Sequence, residues 1–98
     1  MLFHITVTHT PEDCPLYNED ARAAAADALG NVDTLAKDAG VTLHFMVSPA
    51  PEHALFVLVE ADTYEAVGAF LKSAFPFPSD FSVSPVISHR DVVALVNK

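Results

Sequence analysis

A period-two alternation of apolar and polar residues recurs along this chain and constrains its fold more than any other feature. In the first segment Phe3, Ile5 and Val7 alternate with polar side chains. Such segments form strands that bury one side of a sheet, because successive side chains point to opposite sides. The alternation appears in residues 2–9, 41–48, 54–60 and 81–87. The sequence therefore predicts a four-stranded sheet whose two faces differ: an apolar face with Phe3, Ile5 and Val7, and a mixed face, called the open face below.

Helical signals fill the intervals between these strands. Asn18 is predicted to cap a first helix that ends at Gly40, and Gly30 inside it predicts a kink or a division into two helices. Residues 62–65 form a capping box that opens a second helix, which ends before Pro76. The predicted order of elements is therefore β-α-β-β-α-β.

This order is that of the ferredoxin-like split βαβ fold, which belongs to the α+β class. It predicts an antiparallel sheet with strand order 4-1-3-2, two helices on the apolar face and a short extra helix over residues 90–96. Pro85 restricts the last strand to an edge or a bulge, because proline cannot donate a ladder hydrogen bond. No linker or repeat divides the chain, so a single domain over residues 1–98 is expected.

The charge balance excludes several classes of partner. The 98 residues include 13 acidic and 5 basic side chains, for a formal net charge of −8. Nucleic acids and anionic membranes are bound by clustered lysine and arginine, so neither is expected here. No apolar run is long enough to cross a bilayer, and residues 1–10 lack the pattern of a signal peptide. With a single cysteine, which cannot form an internal disulfide, a cytoplasmic location is expected.

Two segments carry a resemblance to a known superfamily. Residues 56–62 read Phe-Val-Leu-Val-Glu-Ala-Asp and lead into the second helix, and residues 80–86 read Asp-Phe-Ser-Val-Ser-Pro-Val. Within roughly residues 40–96 the chain resembles the dimeric α/β-barrel superfamily, and in it the small GYD-type and uncharacterised-domain members. The resemblance implies a homodimer whose sheets enclose a pocket for a small molecule. That superfamily includes cofactor-free monooxygenases, isomerases, haem-degrading enzymes and ligand-binding domains.

The open face carries the residues that could perform chemistry. About half of its side chains are polar, and a buried polar group without a partner costs a few kcal/mol. The face is therefore either hydrated or lines a site. The candidate pocket residues on it are Thr6, Thr8, Thr42, Met46, Phe56 and Leu58.

Three further residues of the open face form a candidate metal site. The expected register places His4, Glu60 and His44 in one row across three strands, with the outer two about 10 Å apart at the backbone. Two imidazoles and a carboxylate suit a divalent transition metal such as zinc, iron or copper. Such a metal would activate water, dioxygen or a chelating substrate.

Two other interpretations of the open face remain. In the first, the pocket holds no metal, and His4 or His44 acts as the general base of a small-molecule monooxygenase or isomerase. In the second, the domain is not an enzyme and serves to bind a ligand or to regulate. The sequence does not decide whether the protein is catalytic.

His9 and Cys14 form a secondary candidate site. An imidazole and a thiol five positions apart, in a loop stiffened by Pro11 and Pro15, can bind zinc or copper or make an activated thiolate. Only two ligands are local, however, and His9 is expected to face the helices. His53 is interpreted as a turn residue.

Overall fold

The computed structural model describes residues 1–98 and contains the predicted elements in the predicted order. Two short 3₁₀ turns, Pro11–Asp13 and Ala50–Glu52, lie in the loops that precede α1 and β3. The strands are β1 (Leu2–Thr8), β2 (Thr42–Val47), β3 (Ala54–Glu60) and β4 (Asp80–Val86). The helices are α1 (Glu19–Gly30), α2 (Val32–Ala39), α3 (Tyr64–Ala74) and α4 (His89–Val96).

The four strands form one sheet in the order β2-β3-β1-β4, and every neighbouring pair is antiparallel. This is the predicted order of the ferredoxin-like fold, read from the opposite edge. β4, which contains Pro85, lies at an edge as expected. The α+β fold class is therefore confirmed.

The core lies between the sheet and the first three helices. Phe3, Ile5 and Val7 of β1 are fully buried, as are Val57 and Val59 of β3. These are the apolar positions of the alternating pattern. No buried residue of the chain is polar or charged, so burial of apolar surface supplies the driving force for this packing.

The first helical region divides at Gly30, as its sequence indicates. Asn18 caps α1 by accepting a hydrogen bond from the Ala21 N–H at 2.9 Å. α1 ends at Gly30, and α2 begins two residues later. Gly40 ends α2 in the left-handed conformation, with φ of 79°, which glycine adopts without a steric cost from a side chain.

The register between β1 and β3 differs from the expected one by two residues. Glu60 lies opposite Leu2, and His4 lies opposite Leu58. The expectation that His4 lies beside Glu60 is therefore wrong. The alternating pattern does not fix this register, because a shift of two residues leaves every side chain on the same face.

A β-bulge in β2 changes which side chains face the helices. The pairing with β3 shifts between Leu43 and Phe45, and His44 is the extra residue. Beyond the bulge the alternation is reversed, so Phe45 and Val47 are 39% and 52% exposed. Met46 packs against the core instead. The prediction that Met46 lines the open face is therefore wrong, since a bulge of one residue exchanges the two faces.

α4 stands apart from the core. None of its residues is buried, and four of its apolar side chains are exposed: Val92, Val93, Leu95 and Val96. The molecule measures 53 × 29 × 18 Å, with a radius of gyration of 14.7 Å, against about 13 Å for a compact chain of this length. None of the helices is both long and apolar enough to cross a bilayer.

Candidate metal centre

Three potential metal ligands meet at one end of the sheet. The ligand atoms of His9, Cys14 and His53 all lie within 4.8 Å of one another. No other three His, Cys, Asp or Glu side chains bring their ligand atoms this close. A tetrahedral metal with bonds of 2.0–2.3 Å needs about 3.5 Å between its ligands, so small side-chain rotations would bring these three ligands onto one ion.

The pairing of β1 with β3 places the two histidines. Thr8 and Ala54 are the last pair of this ladder. His9 is the next residue of one strand and His53 the preceding residue of the other. The His9 N–H donates to the His53 carbonyl at 3.2 Å, and the two rings lie 5.4 Å apart between centroids. The antiparallel ladder thus presents both imidazoles on adjacent strand ends.

The backbone of His53 adopts an unusual conformation. Its φ is 53° and its ψ is 45°, in the left-handed region, where it is the only residue other than glycine with positive φ. Its N–H donates to the Ala50 carbonyl at 3.1 Å, which closes the 3₁₀ turn before β3. Residues in this region are sparse outside glycine and concentrate at functional sites.

The loop between β1 and α1 holds Cys14 in place from both sides. The Cys14 N–H donates to the Pro11 carbonyl at 3.3 Å. The Cys14 carbonyl accepts from the Tyr17 N–H at 2.9 Å and the Asn18 N–H at 2.8 Å. The side chain is buried, with 2% of its surface exposed. This single cysteine is therefore fixed toward the histidines rather than toward solvent.

Three of the four ring nitrogens of the two histidines lack partners. Nδ1 and Nε2 of His9 and Nδ1 of His53 are covered from solvent and make no hydrogen bond. A covered polar atom left without a partner costs about 1–3 kcal/mol. A metal ion that accepts a nitrogen lone pair from each ring would remove much of this cost.

The electrostatic environment keeps His9 in the form that binds metals. Burial lowers the pKa of His9 below its usual 6.5, and the neighbouring His53 lowers it further, while Asp13 opposes the shift. Only the neutral imidazole offers a lone pair to a metal. The depressed pKa therefore favours ligation at neutral pH.

The open face brings together only part of the predicted site. His44 Nε2 lies 3.1 Å from Glu60 Oε1, and the side chains are 40% and 55% exposed. His4 instead contacts aromatic rings, with its centroid 5.9 Å from that of Phe56 and 6.4 Å from that of Phe45. Within one subunit the proposed row of His4, Glu60 and His44 is therefore not assembled.

The predicted pocket residues of the open face do not enclose a cavity within one chain. Thr6, Thr42, Phe56 and Leu58 line none of its cavities, and Met46 packs inward. Thr8 borders only a small polar cleft beside Asp80. A pocket on this face stays a prediction that requires a second copy of the chain.

The sequence identifies His9 and Cys14 as candidate ligands, whereas for His53 it indicates only a turn residue. His53 is both a turn residue and a ligand candidate. The signal that identifies it is the antiparallel pairing of β1 with β3, which brings the residue after one strand beside the residue before the other. The alternating pattern alone does not fix that register.

Comparison with known proteins gives the family. The model of a domain of unknown function, DUF3303, matches residues 1–98. The chain belongs to the DUF3303 family. This places the DUF3303 chain among uncharacterised domains with a ferredoxin-like fold, and the GYD-type likeness gains no support.

Two further comparisons complete this result. One solved structure that resembles this DUF3303 chain is described as a dimeric ferredoxin-like protein from an uncultured marine organism. The two sequences are 14% identical, and the TM-score is 0.47. The alignment covers 90% of the DUF3303 chain and 94% of the other chain. A search of the curated proteins finds no match.

Proposed function

We propose that this chain is a metal-binding domain that holds a divalent transition metal through His9, Cys14 and His53. The observation that carries the proposal is the set of three covered ring nitrogens without partners beside a buried thiol. Each atom alone would be costly to bury, and together they match the ligands of one ion.

The donor set selects among metals. A thiolate with two imidazoles suits zinc and copper, whereas magnesium and calcium prefer oxygen ligands. The non-haem iron sites considered for the open face use two histidines and a carboxylate, and no carboxylate joins this group. Zinc and copper are therefore the expected ions, and iron is not.

Competition with a chromophoric zinc chelator tests the proposal. Cys14→Ser and His53→Ala are each expected to weaken zinc binding at least about 100-fold, because each removes a direct ligand. His89→Ala is the control, since His89 is exposed on α4. Equal affinities in the wild type and both ligand variants would refute the assignment.

A second proposal concerns the open face, and its specific support is the His44–Glu60 contact at 3.1 Å. A carboxylate beside an imidazole orients the ring as in general-base pairs. In a homodimer that joins two open faces, this pair would lie in a shared pocket for a small molecule. Ligand-observed NMR screening should then give fragments that bind the wild type and not His44→Gln. Fragments that bind both proteins equally would refute the role of His44 in a ligand pocket.

The cytoplasmic location of the protein also stays a prediction.

A further inference from the structure

A cavity adjoins the candidate metal centre. Its volume is about 260 Å³, and His9, Cys14 and His53 all contribute to its lining. We propose that a metal held by these residues takes, as its fourth ligand, a small molecule with one nitrogen or sulfur donor and an apolar body. This inference rests on the metal site proposed above and names the class of molecule that the site binds.

The protein supplies no fourth ligand of the usual kind. No further His, Cys, Asp or Glu joins the group of three. The one hydroxyl group lining the cavity belongs to Ser48, and it already donates to the Ala54 carbonyl at 3.0 Å. Structural zinc sites have four protein ligands, whereas sites with three keep a position for water or substrate. The fourth coordination position of the metal is therefore open to a molecule that occupies the cavity.

The remaining lining of the cavity is apolar. It consists mainly of Leu16, Leu29, Ala50, Leu55 and Phe77. No lysine, arginine, aspartate or glutamate contributes to it. A cationic ligand would find no counter-ion in this lining and would be repelled by the bound divalent metal. An apolar body attached to one donor atom fits both the lining and the metal.

The volume sets the size of this molecule. A cavity of about 260 Å³ holds roughly nine water volumes. This is below the usual range of about 300–1,000 Å³ for drug-sized ligands. The expected ligand is therefore no larger than a five-membered ring with a short alkyl chain.

The test uses protein loaded with cobalt(II). The thiolate-to-cobalt charge-transfer band reports that Cys14 binds the metal, and the d–d absorption bands report the number and geometry of the ligands. The probes are imidazole and 1-butylimidazole, the second of which matches the cavity in size. Both are expected to shift the d–d bands. 1-Butylimidazole should bind at least about 10-fold more tightly, since each buried methylene contributes about fourfold in affinity.

Two variants fill the cavity without touching the ligands. Ala50→Phe and Leu29→Trp both add an aromatic ring to its lining, and Ala50 is exposed, so its replacement does not disturb the core. Each is expected to keep the thiolate–cobalt band and to lose the preference for 1-butylimidazole. The retained band also shows that the variant is folded around the metal.

The outcomes separate the two proposals. Absence of a thiolate–cobalt band in the wild type would refute the metal site itself, and this inference with it. A normal band with unchanged d–d absorption up to saturating 1-butylimidazole would refute only the ligand. Equal affinities for the two azoles, or loss of the thiolate band on azole addition, would also contradict the proposed cavity ligand.

Discussion

At the scale of single residues, burial separates the two histidine clusters. The His44–Glu60 pair is exposed, and ion pairs in contact with water contribute only about 0–1 kcal/mol. Cys14 is buried, and Nδ1 and Nε2 of His9 and Nδ1 of His53 are covered from solvent without a hydrogen-bond partner, although both histidines are partly exposed as residues. The exposed His44–Glu60 contact is already hydrated, whereas the covered ring nitrogens lack any partner unless a metal ion binds them. These observations favour the proposed metal site at the end of the sheet over the predicted one on the open face.

His9 gives the metal-free protein a specific pH dependence. Because the folded pKa of His9 lies below its unfolded value, the unfolded chain binds more protons as the pH falls through about 6.5. The contribution of His9 to stability is complete above that pH and declines below it. Chelator-treated wild type should lose stability to urea between pH 7.5 and pH 5.

Replacement of the ring is the control for this pH dependence. His9→Phe keeps an aromatic side chain that cannot be protonated, so the part of the pH dependence due to His9 should disappear. An identical pH dependence of unfolding in the wild type and in His9→Phe would contradict the assignment.

At the scale of elements, the sequence predicted which segments form strands but not how they align. Alternation in β1 and β3 identified their buried sides correctly, because no irregularity interrupts them. In β2 the bulge at His44 reverses the alternation, which sends Met46 inward and Phe45 outward. A bulge has no signature in the pattern of apolar residues, so the composition of the open face could not be predicted. The position of His53 beside His9 could not be predicted either, because the alternating pattern does not fix the register of β1 with β3.

Two glycines offer a matched pair for helix stability. Gly40 has φ of 79° and ends α2, whereas Gly68 lies within α3, and an added Cβ would contact nothing within 4 Å at either position. Gly40→Ala is expected to destabilise by about 1 kcal/mol through backbone strain. Gly68→Ala should stabilise by up to about 1 kcal/mol through helix propensity. Urea unfolding measures both, and changes of the same sign would contradict this account.

At the scale of the whole molecule, two apolar surfaces are left uncovered. One is α4, whose eight residues would be marginally stable as an isolated helix. The other is the open face, where Phe45 and Val47 are exposed. Both sheet edges are interrupted, β2 by its bulge and β4 by Pro85, which disfavours association by strand addition. These features favour the proposed homodimer in which the open faces of two chains pack against each other, rather than one formed by pairing of strand edges.

The size and charge of the open face agree with self-association. Four strands of up to seven residues span about 19 by 23 Å. Stable dimers bury about 800 Å² of surface on each partner. The pleated surface of the open face together with that of α4 has a similar area. Of the 13 acidic residues, Glu60 and Asp80 are the ones on strands, so repulsion between the two faces is small.

Two phenylalanines on opposite faces test this association. Phe45 and Phe81 lie on the two edge strands and are 39% and 41% exposed. Phe45 faces away from the helices, whereas Phe81 pairs with Val7 and contacts Phe75 on the helix side. Sedimentation should find Phe45→Glu monomeric and Phe81→Glu dimeric like the wild type. A monomeric wild type, or the reverse pattern in the variants, would contradict the dimer.

The central claim is that His9, Cys14 and His53 bind one metal ion. Elemental mass spectrometry of tag-free protein purified without chelators tests it most directly. We expect close to one zinc or copper per chain in the wild type and in His44→Ala, and far less in Cys14→Ser. Metal that is retained in Cys14→Ser but lost in His44→Ala would contradict it, as would protein that holds no metal after loading with zinc or copper and desalting.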